Sequence, residues 1–387
     1  MKLPLLSKQT VHNCRVLVRV AFDVPTDRRG NVEDTFRLER CAPTVRWLVR
    51  HGAKIILLGH RGQPHGKYSR ANSLEPVGKF FSTMIKRPVS FTARPAKTLV
   101  TRSQTMKRGD ILLLENLRFD LREEKNTAVF ARELAALGDR YVNDDFATAH
   151  RAHASLALLP TLLPSFAGLN LREEVEMLER LLSAVRRPFY VVLGGAKVHD
   201  KLGVVTNLLR RVDGILIGGA SASTLLHAKG LSVGRSLIDH DAKQKDLLPV
   251  LSSRKVFLPT DVLVARSAAA RTTRVVLVGD IDPLFAAFDV GPETAKRYSM
   301  LLKSARTVFW AGSIGLTEQR RFCHATQGIA RSISRTRMFS VAGGGDTIRA
   351  FHDLGLAKRF SFLSTGGGAT LMFLAGERLP ALDALRS

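Results

Sequence analysis

Short apolar runs alternate along the chain with amphipathic stretches. The runs are "RVLVRVAF" (15–22), "KIILLG" (54–59), "ILLLEN" (111–116), "RYVND" (140–144), "FYVVLGG" (189–195), "GILIGG" (214–219), "KVFLPTDVL" (255–263), "TVFWAG" (307–312) and "MFSVAGG" (338–344). Most are continuously apolar rather than alternating, the mark of strands buried on both faces in parallel sheets covered by helices. Between them lie segments such as "PTVRWLVRHG" (43–52), an amphipathic helix for which Gly52 is the expected C-cap. The stretch "LREEVEMLERLLSAVRRP" (171–188) is a long charged helix stopped by Pro188 at mid-chain. The pattern therefore predicts an α/β protein of two doubly wound parallel-sheet domains, residues 1–170 and 188–371, joined by a hinge helix over 171–187. The final segment, 372–387, ends in "ERLPALDALRS", too apolar for a free tail, and is expected to return to the first domain.

Composition agrees with this picture. A chain of 387 residues suits two domains better than one core. An apolar content of 45% with 24% charged residues is that of a globular protein, and no apolar run nears the roughly 18 residues of a membrane span. Three widely spaced cysteines, Cys14, Cys41 and Cys323, argue against a disulfide framework or a zinc site. The start, "MKLPLLSKQTVHNC", lacks the pattern of a secretory signal, so a cytoplasmic setting is expected. The net charge of +25 favours anionic partners. It is scattered (Arg28-Arg29, Arg186-Arg187, Arg210-Arg211, Arg320-Arg321) and accompanied by no nucleic-acid-binding signature, so nucleic acid stays an open, non-specific possibility.

Candidate chemistry begins at the glycines. "VVLGGAKVHDK" (191–201), "ILIGGASAST" (215–224), "SVAGGGDTIRA" (340–350) and "FLSTGGGATL" (362–371) each end an apolar run in glycine. In open α/β sheets ligands bind at the carboxyl ends of strands, where helix N-termini and successive backbone N–H groups hold anions. Gly195, Gly219, Gly344 and Gly345 are therefore read as phosphate cradles. Lys197 and Lys201, one helical turn apart, are placed to face a phosphate chain. Asp346 is a hard oxygen ligand suited to Mg²⁺, with the Thr347 hydroxyl beside it, and Glu318 is a candidate for ribose hydroxyls. The first half instead carries Arg37, Arg61, Arg118 and Arg151 near strand ends, with His60 in "GHRGQP". Such a cluster suits a small, doubly anionic substrate. The chain has no Ser-His-Asp order, no histidine-rich metal cluster and no P-loop "GxxxxGK[ST]". A carboxylate acceptor is ionised near neutral pH and needs no general base. Phosphoryl transfer to it asks for positioning, a metal ion and cationic stabilisation, and that inventory is present.

Taken in order, "VLVRVAFDVP", "GNVEDTFRLERCAPT", "GAKIILLGHRGQP", "LLLENLRF", "YVNDDFATAHRAHAS", "LGGAKVHDKLGV", "DVGPET", "GGGDT" and "LSTGGGATL" closely resemble phosphoglycerate kinase from about residue 10 to the C-terminus. The resemblance implies a glycolytic kinase, expected as a monomer, moving a phosphoryl group between ATP and 3-phosphoglycerate. Arg37, His60, Arg118 and Arg151 would hold the acid; Lys197, Lys201, Glu318 and Gly344 through Thr347 the nucleotide and Mg²⁺; Arg37 and Lys197 the moving group. Departures from the family pattern keep a second reading open, a weakly active or inactive relative binding anions or nucleic acid. Ala21 stands where the family has Asp, Asp23 where it has Asn, Gln63 where it has Arg, and Arg61 where Leu is usual. The loop "WNGPMG" reads "WAGSIG", with Ala311 for Asn, and in "GGGMA" Ala220 and Ser221 replace Gly and Met. If residues 21 and 23 share one strand face, Asp23 supplies the carboxylate lost at Ala21. Arg61, two positions from Gln63, would likewise reach the same anion.

Overall fold

The protein is described from a computed structural model, which covers residues 1–93, 96–333 and 338–386. Of the terminal segment predicted to dock, Ser387 lies outside these residues. The chain forms two compact units, Met1–Glu176 with the segment from Arg378, and Met177–Glu377.

The first unit is built on β1 (Arg15–Arg19), β2 (Lys54–Leu58), β3 (Ser90–Thr92), β4 (Ile111–Leu114), β5 (Arg140–Asn143) and β6 (Ser165–Ala167), in the order β3-β4-β2-β1-β5-β6. Every pairing is parallel, with Arg19 opposite Leu58 on one side and Asn143 on the other. Val16 and Val18 of β1 and Ile55 and Leu57 of β2 are fully buried in one cluster with Leu38, Val45 and Leu48 of the helix Phe36–Arg50. Each such burial stabilises by about 1.5–3 kcal/mol. That helix stops at Arg50 with His51 as its cap, and Gly52 follows at φ +75°, the left-handed residue that turns the chain into β2. The helix Pro380–Ala384 packs on the turn Ala154–Leu158, and the Ala381 N–H donates to the Ala149 carbonyl at 3.1 Å.

The second unit holds β7 (Phe189–Leu193), β8 (Gly214–Ile217) and β9 (Val256–Phe257), then β10 (Asp261–Ala265), β11 (Arg274–Leu277) and β12 (Ala286–Val290), and finally β13 (Thr307–Ala311), β14 (Phe339–Gly343) and β15 (Phe362–Ser364). A second parallel sheet has the order β15-β14-β13-β7-β8-β9. The antiparallel sheet β11-β10-β12 was not anticipated. The run 255–263, expected as one strand, is divided between the two sheets. Pro259 sits at the break, where a residue without an N–H cannot continue a ladder.

The mid-chain helix spans Leu169–Ser183, starting and ending earlier than the hydrophobic pattern predicts, and the division between the units falls inside it. Its start is drawn back by Asp144, whose Oδ1 accepts the N–H groups of Asn170 at 2.9 Å and Leu171 at 3.3 Å. The unit boundary at Arg378 lies six residues past the expected one, because the helix Gly368–Ala375 packs against the helix His199–Leu208 of the second unit.

Candidate functional site

In the second unit a cleft of about 890 Å³ opens at the carboxyl ends of β7, β8, β13 and β14. Gly195, Lys197, Lys201, Gly219, Glu318 and Gly344 through Thr347 all line it. The glycines serve two separate needs there. A Cβ on Gly194 would lie 2.0 Å from the Ser313 carbonyl oxygen, and one on Gly312 would lie 2.2 Å from that of Gly194. Only glycine lets these two strand ends touch, and the Gly195 N–H then donates to the Ser313 carbonyl at 2.8 Å. Gly345, by contrast, has nothing within 4 Å of a would-be Cβ. It opens the helix Gly345–Asp353, leaving first-turn N–H groups facing the cleft.

Lys197 is not on a helix with Lys201, as the spacing had predicted. The helix begins at His199, so Lys197 stays exposed in the preceding loop, and the Lys201 ammonium donates to the Lys197 carbonyl at 2.7 Å. Burial pulls the Lys201 ammonium below its ordinary pKa, opposed by the nearby carboxylates of Asp200, Asp239 and Asp346. Asp346 is exposed in the cleft and makes no hydrogen bond or ion pair among the described residues. A carboxylate with both oxygens free, in the first turn of a helix, fits a hard divalent cation. The Thr347 hydroxyl oxygen instead accepts the Gly312 N–H at 2.7 Å, which ties β13 to the Asp346 helix. Asp289, at the end of β12, also lines the cleft and was not anticipated. Burial pushes its carboxyl up to about 7, against the N–H groups of Val290 and Ala325 that it accepts.

The first unit gathers its cationic residues at the carboxyl ends of β1 and β2. Arg37 donates to the Asp23 carbonyl at 2.6 Å and lies 3.8 Å from the Asp23 carboxylate. His60 Nε2 is 3.8 Å from that same carboxylate, whose Oδ1 accepts the Gly62 N–H at 2.9 Å. Arg118 donates to the Gly62 carbonyl at 2.8 Å, with Glu124 at 3.6 Å. Arg151 is exposed and forms no ion pair among the described residues. The buried Arg118 Nε and the Nδ1 atoms of His150 and His153 have no hydrogen-bond partner among the described residues. Such groups are rarely left orphaned, and here they sit among guanidiniums, as an anion site requires. Burial, then the charge of Arg118, pushes His153 down to about 3, so its ring is neutral.

The expected exchange of side chains across one strand face does not occur. β1 ends at Arg19, so residues 21 and 23 are not on a strand. Ala21 is packed in the core, while Asp23 faces Gly62, His60 and Arg37. Arg61 donates to the Thr26 hydroxyl and, at 3.3 Å, to the Ser73 carbonyl, anchoring its loop. Gln63 is exposed.

Arg19 had drawn no attention in the sequence, although a charged residue inside "RVLVRVAF" was itself a signal. Its side chain is fully buried and paired with Asp145 at 2.8 Å. The two guanidinium and imidazole groups of Arg19 and His60 are also 2.8 Å apart.

The family model for phosphoglycerate kinase matches residues 6–377. The chain belongs to the phosphoglycerate kinase family. A phosphoglycerate kinase of Thermomicrobium roseum is 44% identical over 385 residues, 97% of each chain. That of Moorella thermoacetica is 41% identical over 381 residues, again 97% of each. Among solved structures, phosphoglycerate kinase from Coxiella burnetii superposes with a TM-score of 0.85 at 35% identity, covering 99% of both chains. Two parallel-sheet units are thus the architecture this chain shares with the kinases of its family. No helix among the described residues is long and apolar enough to cross a membrane.

Proposed function

We propose that the chain transfers a phosphoryl group reversibly between ATP and the carboxylate of 3-phosphoglycerate, giving 1,3-bisphosphoglycerate and ADP. The observation that carries this reading is the convergence of Gly195, Lys197, Lys201, Gly219, Glu318, Gly344, Gly345, Asp346 and Thr347 on one cleft, beside kinase relatives over nearly the full chain. In this reading the second unit takes the nucleotide. First-turn N–H groups at Gly345 and the ammoniums of Lys197 and Lys201 hold its phosphates, and Glu318 takes the ribose. The first unit takes the acid, with Arg37, His60, Arg118 and Arg151 around its carboxylate and phosphate. Asp23 and Gln63 are proposed at the edge of that pocket, with Arg61 supporting its loop.

The acid's carboxylate oxygen attacks the γ-phosphorus as the bond to the β-phosphate oxygen breaks, and ADP leaves. No proton has to be removed from the nucleophile. Lys197 and Arg37 then have one task, to offset charge on the three transferring oxygens. Asp346 would hold Mg²⁺, which when bound neutralises phosphate charge and aligns the chain. A cytoplasmic, monomeric glycolytic enzyme is part of the same proposal.

The test is a coupled assay of ADP formation from Mg-ATP and 3-phosphoglycerate. Turnover is expected in the ordinary enzyme range of about 1–10³ s⁻¹. Lys197→Ala should lower kcat by about 10²–10³-fold, the usual cost of one transition-state partner. A protein that binds Mg-ATP yet turns over no faster than this variant would be an anion-binding relative instead.

A further inference from the structure

Arg19 lies on β1 between Val18 and Val20, and no part of its side chain meets solvent. Its Nε donates to Ser155 Oγ at 3.1 Å, and its Nη1 to the Val20 carbonyl and Asp145 Oδ2, both at 2.8 Å. Its Nη2 points at His60 Nδ1, also at 2.8 Å. An ion pair with Asp145 would account for the burial of a guanidinium, but not for the aim of Nη2. Asp145 is itself well supplied, accepting the Thr148 N–H at 3.2 Å and its hydroxyl at 2.5 Å.

A guanidinium has five N–H donors, no acceptor, and does not lose its proton in proteins. Nδ1 of His60 must therefore be the acceptor, and the hydrogen of a neutral ring must sit on Nε2. That Nε2 faces Asp23, on the half-exposed side of the arginine cluster, at 3.8 Å. We propose that Arg19 is a positioning residue that locks His60 as the neutral Nε2–H tautomer, so that the ring meets the acid substrate as an uncharged hydrogen-bond donor. This rests on reading the cluster as the 3-phosphoglycerate site.

Adding a proton to His60 would put N–H groups on both sides of a 2.8 Å contact and break it. The charged groups around the ring mostly act the same way. Arg19 on β1, Arg37 on the helix Phe36–Arg50 and Arg118 on the turn Leu117–Phe119 all oppose a positive imidazole, and His153, before the turn Ala154–Leu158, does so only when itself protonated. Asp23, partly exposed and 3.8 Å from Nε2, favours one. Burial is the largest cause, and together with the arginine charges it holds His60 well below the ordinary histidine pKa. The pocket's cationic character is thereby left to arginines alone, and its grip on the acid is independent of pH where histidines usually titrate.

The tautomer is read directly by long-range ¹H–¹⁵N correlation on the ¹⁵N-labelled full chain without substrate, the His60 signals being assigned by their loss in His60→Gln. His60 is expected to show a protonated Nε2 and a bare Nδ1, unchanged from pH 8 to pH 5. Arg19→Met should bring its titration back toward the ordinary value of about 6.5 and mix the tautomers. The same variant should give KM for 3-phosphoglycerate a pH dependence that kcat does not share, and Arg19→Lys, which keeps a buried donor, should recover part of the parent profile. A wild-type ring protonated on Nδ1, or titrating near 6.5, overturns the proposal, as does an Arg19→Met spectrum and KM profile matching the parent. If Arg19→Met does not fold, with Asp145 left unpaired, the wild-type spectrum alone decides. The spectrum also separates the two readings. The expected tautomer in a protein without turnover sinks the kinase function and spares Arg19, whereas turnover with a titrating His60 does the reverse.

Discussion

Asp346→Asn separates what the cleft needs for chemistry from what it needs to stay folded. Asp346 sits in the first turn of the helix Gly345–Asp353, exposed, with no hydrogen bond or ion pair among the described residues. Its contribution to stability is therefore small, a carboxylate at a helix N-terminus worth about 0.3–1 kcal/mol with an attraction to the nearby Lys201 ammonium beside it. Asparagine has the same shape and loses only the charge. For a unit of this size the unfolding midpoint should fall by no more than about 4 °C. As the ligand proposed for Mg²⁺, the same carboxylate makes a charge-assisted contact worth about 1.5–3 kcal/mol. At about 1.4 kcal/mol per decade, its loss lowers kcat/KM for Mg-ATP by about 10- to 140-fold. Coupled ADP formation, run across a Mg²⁺ series, reads this directly, and raising Mg²⁺ should recover part of the loss. The assay is paired with calorimetry on the same samples. A kcat/KM within about threefold of the parent at every Mg²⁺ concentration would remove Asp346 from the metal site. A large fall in midpoint would show a structural partner that the free carboxylate does not display.

Two further changes probe the first unit. Gln63→Arg places a guanidinium beside Gly62, whose amide holds Asp23 and whose carbonyl accepts Arg118; with Arg61 committed to Thr26 and Ser73, it should lower KM for 3-phosphoglycerate by about two- to fivefold, the range of an exposed ion pair. An unchanged KM in initial-rate measurements would mean that Arg61 already serves the anion. Asp144 is fully buried, and burial pushes its carboxyl up to about 8 despite the helix N–H groups it accepts. The folded state then holds this proton more tightly than the unfolded one, so stability from this group is present at low pH and lost as pH rises from about 4 through 8, on the order of 3 kcal/mol between pH 5 and 8. Urea unfolding of Asp144→Asn should show a smaller fall over that interval than the parent, and an equal fall in both would place the shift elsewhere.

The two parallel sheets were legible because burial on both faces leaves a plain mark, a run such as "IILLG" or "VFWAG" without polar positions. That the glycine-rich segments of the second unit meet in one cleft was legible for a related reason. Each follows a strand in the chain, and a parallel sheet brings all its carboxyl ends to one edge, so local order in sequence becomes proximity in space. What escaped was set by partners far away in the chain or by where an element stops. β11 reads "RVVL" like any strand, yet three of its four residues are exposed, and its antiparallel sheet has no pattern of its own. The helix after β7 starting at His199 rather than before Lys197, and β1 ending at Arg19 rather than at Phe22, each altered which side chains share a face. Arg19 is the sharpest case. A charged residue in an apolar strand is costly unless it is paired and hydrogen-bonded. Its partners His60, Asp145 and Ser155 lie 41, 126 and 136 positions further along the chain. Periodicity reports that such a position is enclosed and is silent about what meets it there, so a charge inside an apolar run is the place to expect function that a motif does not spell out.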